Sequence, residues 1–235
     1  YSGGFVHNSS ASVVVNGSTD VGGLIGDNVG TVRASSATGD ITGSSNVGGL
    51  VGFMAYSESM VRSSSATGVV KGGAGGGLVG SLNNGSIIRS WSDSTVTGET
   101  TGGGLVGTHI EGTIDESFAT GHVSGDISGG LVGLKRSTGS NPTVRDSYWD
   151  IESTGQSNSS GGTGLTTAEM TGSAAEANMT GFAFGDVWQT RPKEYPMLAG
   201  LSSDNSTEDR NYAQLAKFSY SPKTPVDGER ITFND

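Results

Sequence analysis

The sequence predicts an all-β chain: a parallel β-solenoid of about five to six coils with a C-terminal cap, then the first strands of a small β-sandwich. Three observations carry this. The phrase Gly-Gly-Leu-(Val/Ile)-Gly stands at Gly22–Gly26, Gly48–Gly52, Gly76–Gly80, Gly103–Gly107 and Gly129–Gly133, with starts 26, 28, 27 and 26 residues apart. A second phrase keeps phase with it, a small or turn residue, an aliphatic and a serine: Gly30/Val32/Ser35, Ser59/Val61/Ser64, Gly85/Ile87/Ser90, Gly112/Ile114/Ser117 and Pro142/Val144/Ser147. A third closes each unit, as in Ala37-Thr38-Gly39, Ala66-Thr67-Gly68 and Ala119-Thr120-Gly121. Self-similarity at a fixed period of about 20–50 residues marks a stacked repeat architecture.

Each unit reads as three short β-runs separated by Gly, Ser, Thr and Asn, with no helical period. Stacked at about 4.8 Å, the units place Leu24, Leu50, Leu78, Leu105 and Leu131 in one column. Ile25, Val51, Val79, Val106 and Val132 fall in the next, expected on the opposite face of a regular strand. Val32, Val61, Ile87, Ile114 and Val144 make a third, and Ile41, Val70, Val96 and Val123 a fourth. One coil has too few aliphatics to fold alone, whereas stacked neighbours bury a continuous core.

Taken in order, Gly3-Gly4-Phe5-Val6-His7 reads as a degenerate copy of the first phrase, 19 residues before the next, in a coil that lacks its middle run. Residues 1–134 are the repeats. Residues 135–200 read as a last coil and a cap, with Thr166-x-x-Glu169 as the capping box of a short helix and a bulky set, Phe182, Phe184, Trp188 and Tyr195, covering the open end. Residues 201–215 read as a polar linker, and 216–235, with alternation in Phe218-Ser219-Tyr220 and Ile231-Thr232-Phe233, as the start of a sandwich cut off before it closes. The chain opens within a repeat and stops within a strand-like run, as a piece of a longer polypeptide would.

Composition narrows the function. A net charge of −10 leaves no basic stripe for nucleic acid, and the absence of cysteine leaves no disulfide framework or thiolate metal site. No apolar run approaches the roughly 18 residues of a membrane span. Acidic residues are scattered, and none of the candidate pairs, Asp40 with Asp93 or Asp115 with Asp146, reads as more than solvated charge. His7, His109 (placed in a turn) and His122 share no coil phase, so no metal site and no cofactor is expected. The Gly-rich phrases recur as strand corners, not as a phosphate loop.

Two features remain as candidate sites. At one position Ser36 and Ser65 give way to Trp91, Phe118 and Tyr148, a column that is either an exposed strip for stacking sugars or a shoulder that widens toward the C-terminus. Six Asn-x-Ser/Thr sequons stand at Asn8, Asn16, Asn84, Asn158, Asn178 and Asn205, against about three expected by chance from this composition.

The recurring phrase, with its Gly-x-Val-x-x-Ser and Ala-Thr-Gly runs, resembles the GLUG-motif repeats of large secreted and surface-anchored proteins of bacteria and archaea. Tyr148–Gln156, Gly164–Met170 and the Trp188…Tyr195-Pro196-Met197-Leu198 ending are similar to segments that follow such arrays. Phe218–Pro222 with Gly228–Phe233 resembles the start of a PKD-type immunoglobulin-like domain. The resemblance implies a non-catalytic, adhesin-like, extracellular role, with a polysaccharide, a cell surface or further copies as partner. The sequons and acidic composition lean toward an archaeal surface protein. The alternatives are a polysaccharide-active β-helix enzyme, or its carbohydrate-binding region, and a filament subunit.

Overall fold

A computed structural model describes residues 4–137, 139 and 141–199, with the backbone of 219–221 and 232–234. The chain divides into two units, 1–199 and 200–235. The first is a parallel β-solenoid of about six turns bounded by three sheets. One face stacks Ile25–Asn28, Val51–Met54, Val79–Leu82, Val106–His109 and Val132–Lys135. The second stacks Phe5–His7, Thr31–Arg33, Met60–Arg62, Ser86–Ile88, Thr113–Asp115 and Thr143–Val144. The third stacks the longest strands, among them Ser36–Thr42, Ser65–Gly76, Trp91–Gly103 and Tyr148–Asp150. In the second unit the described backbone is one antiparallel pair, Ser219–Ser221 with Thr232–Asn234; the rest of the expected linker and sandwich lies outside the described residues.

Two of the expected ladders stand in register: Val32, Val61, Ile87, Ile114 and Val144 on the second face, and Ile41, Val70, Val96 and Val123 on the third. The leucine and valine columns correct the expectation of opposite faces, because both point inward. Leu50, Val51, Leu78, Val79, Leu105, Val106, Leu131 and Val132 are all fully buried in one core. The reason is the corner. The N–H groups of Leu50 and Val51 both donate to the Leu78 carbonyl, at 2.9 and 3.0 Å, and Leu78 and Val79 share the Leu105 carbonyl in the same way. Gly49 and Leu50 form a bend just before the strand that begins at Val51, so strand alternation does not yet govern the step from Leu50 to Val51.

The same corner explains the second glycine of the phrase. A Cβ on Gly49 would lie 2.2 Å from the Gly77 carbonyl oxygen and 2.8 Å from the Ala66 Cβ. The coil is so narrow there that glycine faces alanine or serine across it. In the last coil that small residue becomes Trp149, in register with Ala119. A Cβ on Gly130 would lie 1.9 Å from the Trp149 ring, so the indole fills the end of the core by lying directly on a glycine backbone.

The third run is longer than expected. Ser65–Gly76 and Trp91–Gly103 continue unbroken into the next phrase, with register shifts between Gly72 and Ala74 and between Gly98 and Thr101. Inside that bend Val21, Ile41, Val47, Val70, Val96 and Val123 form a second, smaller core. The first coil is also re-phased. Val6 pairs with Val32, 26 residues on, so Gly4-Phe5-Val6 with Ser9 is a middle run and not a worn copy of the first phrase.

The repeating serine is a hydrogen-bond ladder. Each hydroxyl donates to the carbonyl two residues back and accepts the N–H of the equivalent serine one coil earlier. Ser35 N–H reaches Ser64 Oγ at 3.1 Å, Ser64 reaches Ser90 at 3.2 Å, Ser90 reaches Ser117 at 3.1 Å and Ser117 reaches Ser147 at 3.2 Å. Before each serine stands a residue in the left-handed region, Ala34, Ser63, Arg89, Glu116 or Asp146, with φ between 40° and 52°. That turn leaves the serine N–H without a strand partner, and the hydroxyl of the next coil supplies one.

Candidate functional site

The column in which serine gives way to aromatics is in register: Ser36, Ser65, Trp91, Phe118, Tyr148 and then Thr163. It points outward from the long sheet, and the C-terminal segment lies over it. Met170, Ala175, Met179, Phe182 and Trp188 join Phe118 and Tyr148 in a cluster separate from the solenoid core. Phe118 keeps 1% and Tyr148 5% of its surface. Tyr148 donates to the Thr180 carbonyl at 2.6 Å. An exposed strip through all three rings is therefore corrected to a covered shoulder. Trp91 is half-buried, its ring stacked on Phe118 with centroids 6.2 Å apart, at the step where Ser65 precedes it.

The segment that makes this cover follows from its sequence. The Thr166/Glu169 capping box is formed in both directions and starts the helix Thr167–Met170; a second, Ser173–Asn178, follows. The bulky set thus seats on the flank of the long sheet, while the core end is filled by Trp149 and the pairing of Tyr148–Asp150 with Thr163–Leu165.

A buried carboxylate fastens it. Asp150 is fully buried; its Oδ1 accepts the N–H groups of Glu152 at 2.8 Å and Ser153 at 3.1 Å. Its Oδ2 accepts the hydroxyls of Thr167 and Tyr195, both at 2.6 Å. Burial alone raises a carboxyl pKa, but these four donors outweigh it and hold Asp150 below the usual range. The same contacts act oppositely on Tyr195, pushed up to about 12 by burial and by the carboxylate it donates to. A second fastening uses the left-handed corners: Arg89 pairs with Glu116, whose other oxygen accepts the Ala183 N–H at 3.0 Å. Sequence reasoning missed both, because the partners lie 45 and 67 residues apart.

The other candidates are dispersed. Asp115 pairs with Arg145 at 3.2 Å, and Asp146 sits beneath Gly181, where a Cβ would lie 2.3 Å from its carboxyl carbon. Asp40 and Asp93 occupy neighbouring columns, and Asp93 accepts from Thr120 at 2.9 Å. His109 is not in a turn. It ends the strand Val106–His109 in the inward column of Met54 and Leu82, fully buried, and burial pushes its pKa down to about 4. His7 and His122 lie on other faces, and among the described residues no group of three His, Asp or Glu is placed to hold a metal.

Of the sequon asparagines, Asn8, Asn16 and Asn158 are exposed, Asn84 and Asn178 are half-buried, and Asn205 lies outside the described residues. Among the described residues no helix is long and apolar enough to cross a membrane.

Over 71 residues, 29% of its length, the chain is 45% identical to halomucin of Haloquadratum walsbyi (strain DSM 16790 / HBSQ001). That similarity is partial: it covers 1% of halomucin's own length. No protein-family model matches the chain, and no solved structure does. Neither the GLUG-type nor the PKD-type resemblance thus gains support from a family match.

Proposed function

We propose that this chain is a non-catalytic structural and adhesive segment of a large extracellular surface protein, a GLUG-type solenoid followed by the start of a PKD-type module. One observation carries the reading: the same inward leucines and valines repeat from Leu50 to Val132, and the serine ladder runs unbroken from Ser35 to Ser147. Such a stack is built for extension and for presenting long regular faces. Of the candidate carboxylates, Asp115 is engaged with Arg145 and Asp93 with Thr120. The partial likeness to halomucin is compatible with a cell-surface setting.

The partner we favour is an extracellular polysaccharide, contacted at the half-buried Trp91, which follows Ser36 and Ser65 in the same column. The test is incubation of the full chain with a panel of purified polysaccharides, scoring both retention and release of new chain ends. Retention that Trp91→Ala reduces at least fivefold, with no release, supports adhesion. Release that disappears in Asp115→Asn or Asp146→Asn overturns the reading in favour of a polysaccharide-active enzyme.

A further inference from the structure

The outward face of the long sheet has a step in it. The rings of Trp91 and Phe118 stack one coil apart and lie 11° from parallel. One face of the indole is therefore turned to Phe118, and the other is turned back along the column toward Ser65. Phe118 lies under the C-terminal segment, and Trp91 packs at the margin of that cluster. Ser65 and Ser36 are half-buried and carry no ring. The column thus drops from an aromatic wall to a serine floor within one coil step of about 4.8 Å.

The strand at the foot of that wall is lower than both of its neighbours. Ser65, Thr67 and Val69 alternate with the core residues Ala66 and Val70, so they point outward, yet all three are half-buried. Thr67 pairs with Thr38 on the preceding coil and Asp93 on the following one, and Val69 with Asp40 and Thr95; these four flanking residues are exposed. A half-buried outward row between two exposed rows is the floor of a shallow trough. Its later wall begins with Trp91 and Asp93, and its earlier wall carries Asp40. From Ser65 to Lys71 the floor is roughly 20 Å long at the rise of a β-strand.

We propose that this trough binds a neutral, extended glycan, with one pyranose ring stacked on the indole face turned toward Ser65. The stack sets the direction. A sugar ring parallel to the indole stands edge-on to the sheet, so its neighbours in the chain follow the strand along Thr67 and Val69, across the solenoid axis. The apolar C–H face of a pyranose suits an aromatic face, and its hydroxyls meet the Ser65 and Thr67 hydroxyls and the Asp93 carboxylate, which accepts. Charge selects the class of glycan. Asp40 and Asp93 outnumber Lys71 along the trough, in a chain of net charge −10, so a uronate or sulfated chain would lie against like charge. The proposal rests on the adhesive reading for its polysaccharide, and adds the surface, the direction and the charge of the ligand.

The test titrates the full chain with cellohexaose, N-acetylchitohexaose and hexagalacturonate, by calorimetry and by tryptophan fluorescence. Trp149 and Trp188 keep 6% and 0% of their surface, so a fluorescence change on binding reports Trp91. The expected result is binding of a neutral hexamer, with hexagalacturonate weaker by about tenfold or more at low salt. Trp91→Ala should weaken neutral binding by about tenfold. That variant also unstacks Phe118, so Ser65→Trp is the second: it keeps Trp91, raises the floor in register with it, and should cost as much binding at an unchanged melting temperature. Asp40→Asn with Asp93→Asn should keep neutral affinity within about twofold and raise hexagalacturonate binding by about fivefold. Preference for hexagalacturonate in the parent, or neutral binding undiminished in Ser65→Trp, would overturn the trough and leave a polysaccharide partner standing elsewhere on the chain. Silence from all three hexamers would also overturn the trough, and the polysaccharide partner with it if the polymer panel is not retained.

Discussion

Changing Ser90 to Ala tests whether the serine ladder holds the coils together. Ser90 is fully buried; its hydroxyl donates to the Ile88 carbonyl at 2.9 Å and accepts the Ser64 N–H at 3.2 Å. Alanine fits the space and keeps the backbone, so the loss is confined to those two bonds. The Ser64 N–H is left in the interior with no partner, which costs about 1–3 kcal/mol, and the lost bond to Ile88 adds about 1 kcal/mol. The expected destabilisation is about 2–4 kcal/mol, read as a lowered urea midpoint at unchanged slope. Ser86→Ala, in the same coil but half-buried, should cost under about 0.5 kcal/mol. Amide exchange gives a second readout, since the Ser64 N–H should lose protection selectively. Equal midpoints for the two variants would refute the reasoning.

Three further outcomes follow from the buried polar groups. His109 is neutral in the fold, with its pKa near 4 against an ordinary value of about 6.5. The unfolded chain therefore binds a proton that the native chain does not between those values, and stability is full above about pH 6.5 and falls toward pH 4, by up to about 3 kcal/mol. His109→Leu, matching Leu82 in the same column, should flatten the stability curve across that window; an unchanged slope would contradict this. Tyr195→Phe removes one donor from Asp150 and should lower stability by about 1–3 kcal/mol, with increased protease cleavage around 185–199 before global unfolding. Asp150, held below the usual carboxylate range, contributes stability that is present above its ordinary pKa and lost as pH falls further, so acid unfolding of Asp150→Asn should show a shallower dependence below pH 4.

The stack was legible because every coil solves the same packing problem with the same residues. Five copies of one phrase fix the period, and the in-phase aliphatics fix two of the ladders. Strand alternation misled at the Gly-Gly-Leu corner, because two successive N–H groups sharing one carbonyl cannot be read from a hydropathy pattern. The first coil was mis-phased for a related reason. Gly4-Phe5-Val6 fits either phrase locally, and only pairing of Val6 with Val32 decides. The aromatic column was visible as a column but not as covered, since its cover comes from residues 166–198. The Asp150 fastening was invisible, because a carboxylate after Trp149 looks like any turn residue until Thr167 and Tyr195 are folded onto it.

The most direct test of the account is the register of the coils. Thr42, Lys71 and Thr97 stand in one outward column on successive coils, and Thr42 and Thr97 are exposed. The chain has no cysteine, so Thr42→Cys with Thr97→Cys can be spin-labelled at those two positions alone. Two coil steps of about 4.8 Å place their backbones roughly 10 Å apart, although 55 residues separate them in sequence. Parallel, in-register stacking predicts a continuous-wave spectrum strongly broadened by dipolar coupling. A spectrum equal to the sum of the two single-labelled proteins would contradict the stack, and with it the reading of function built on it.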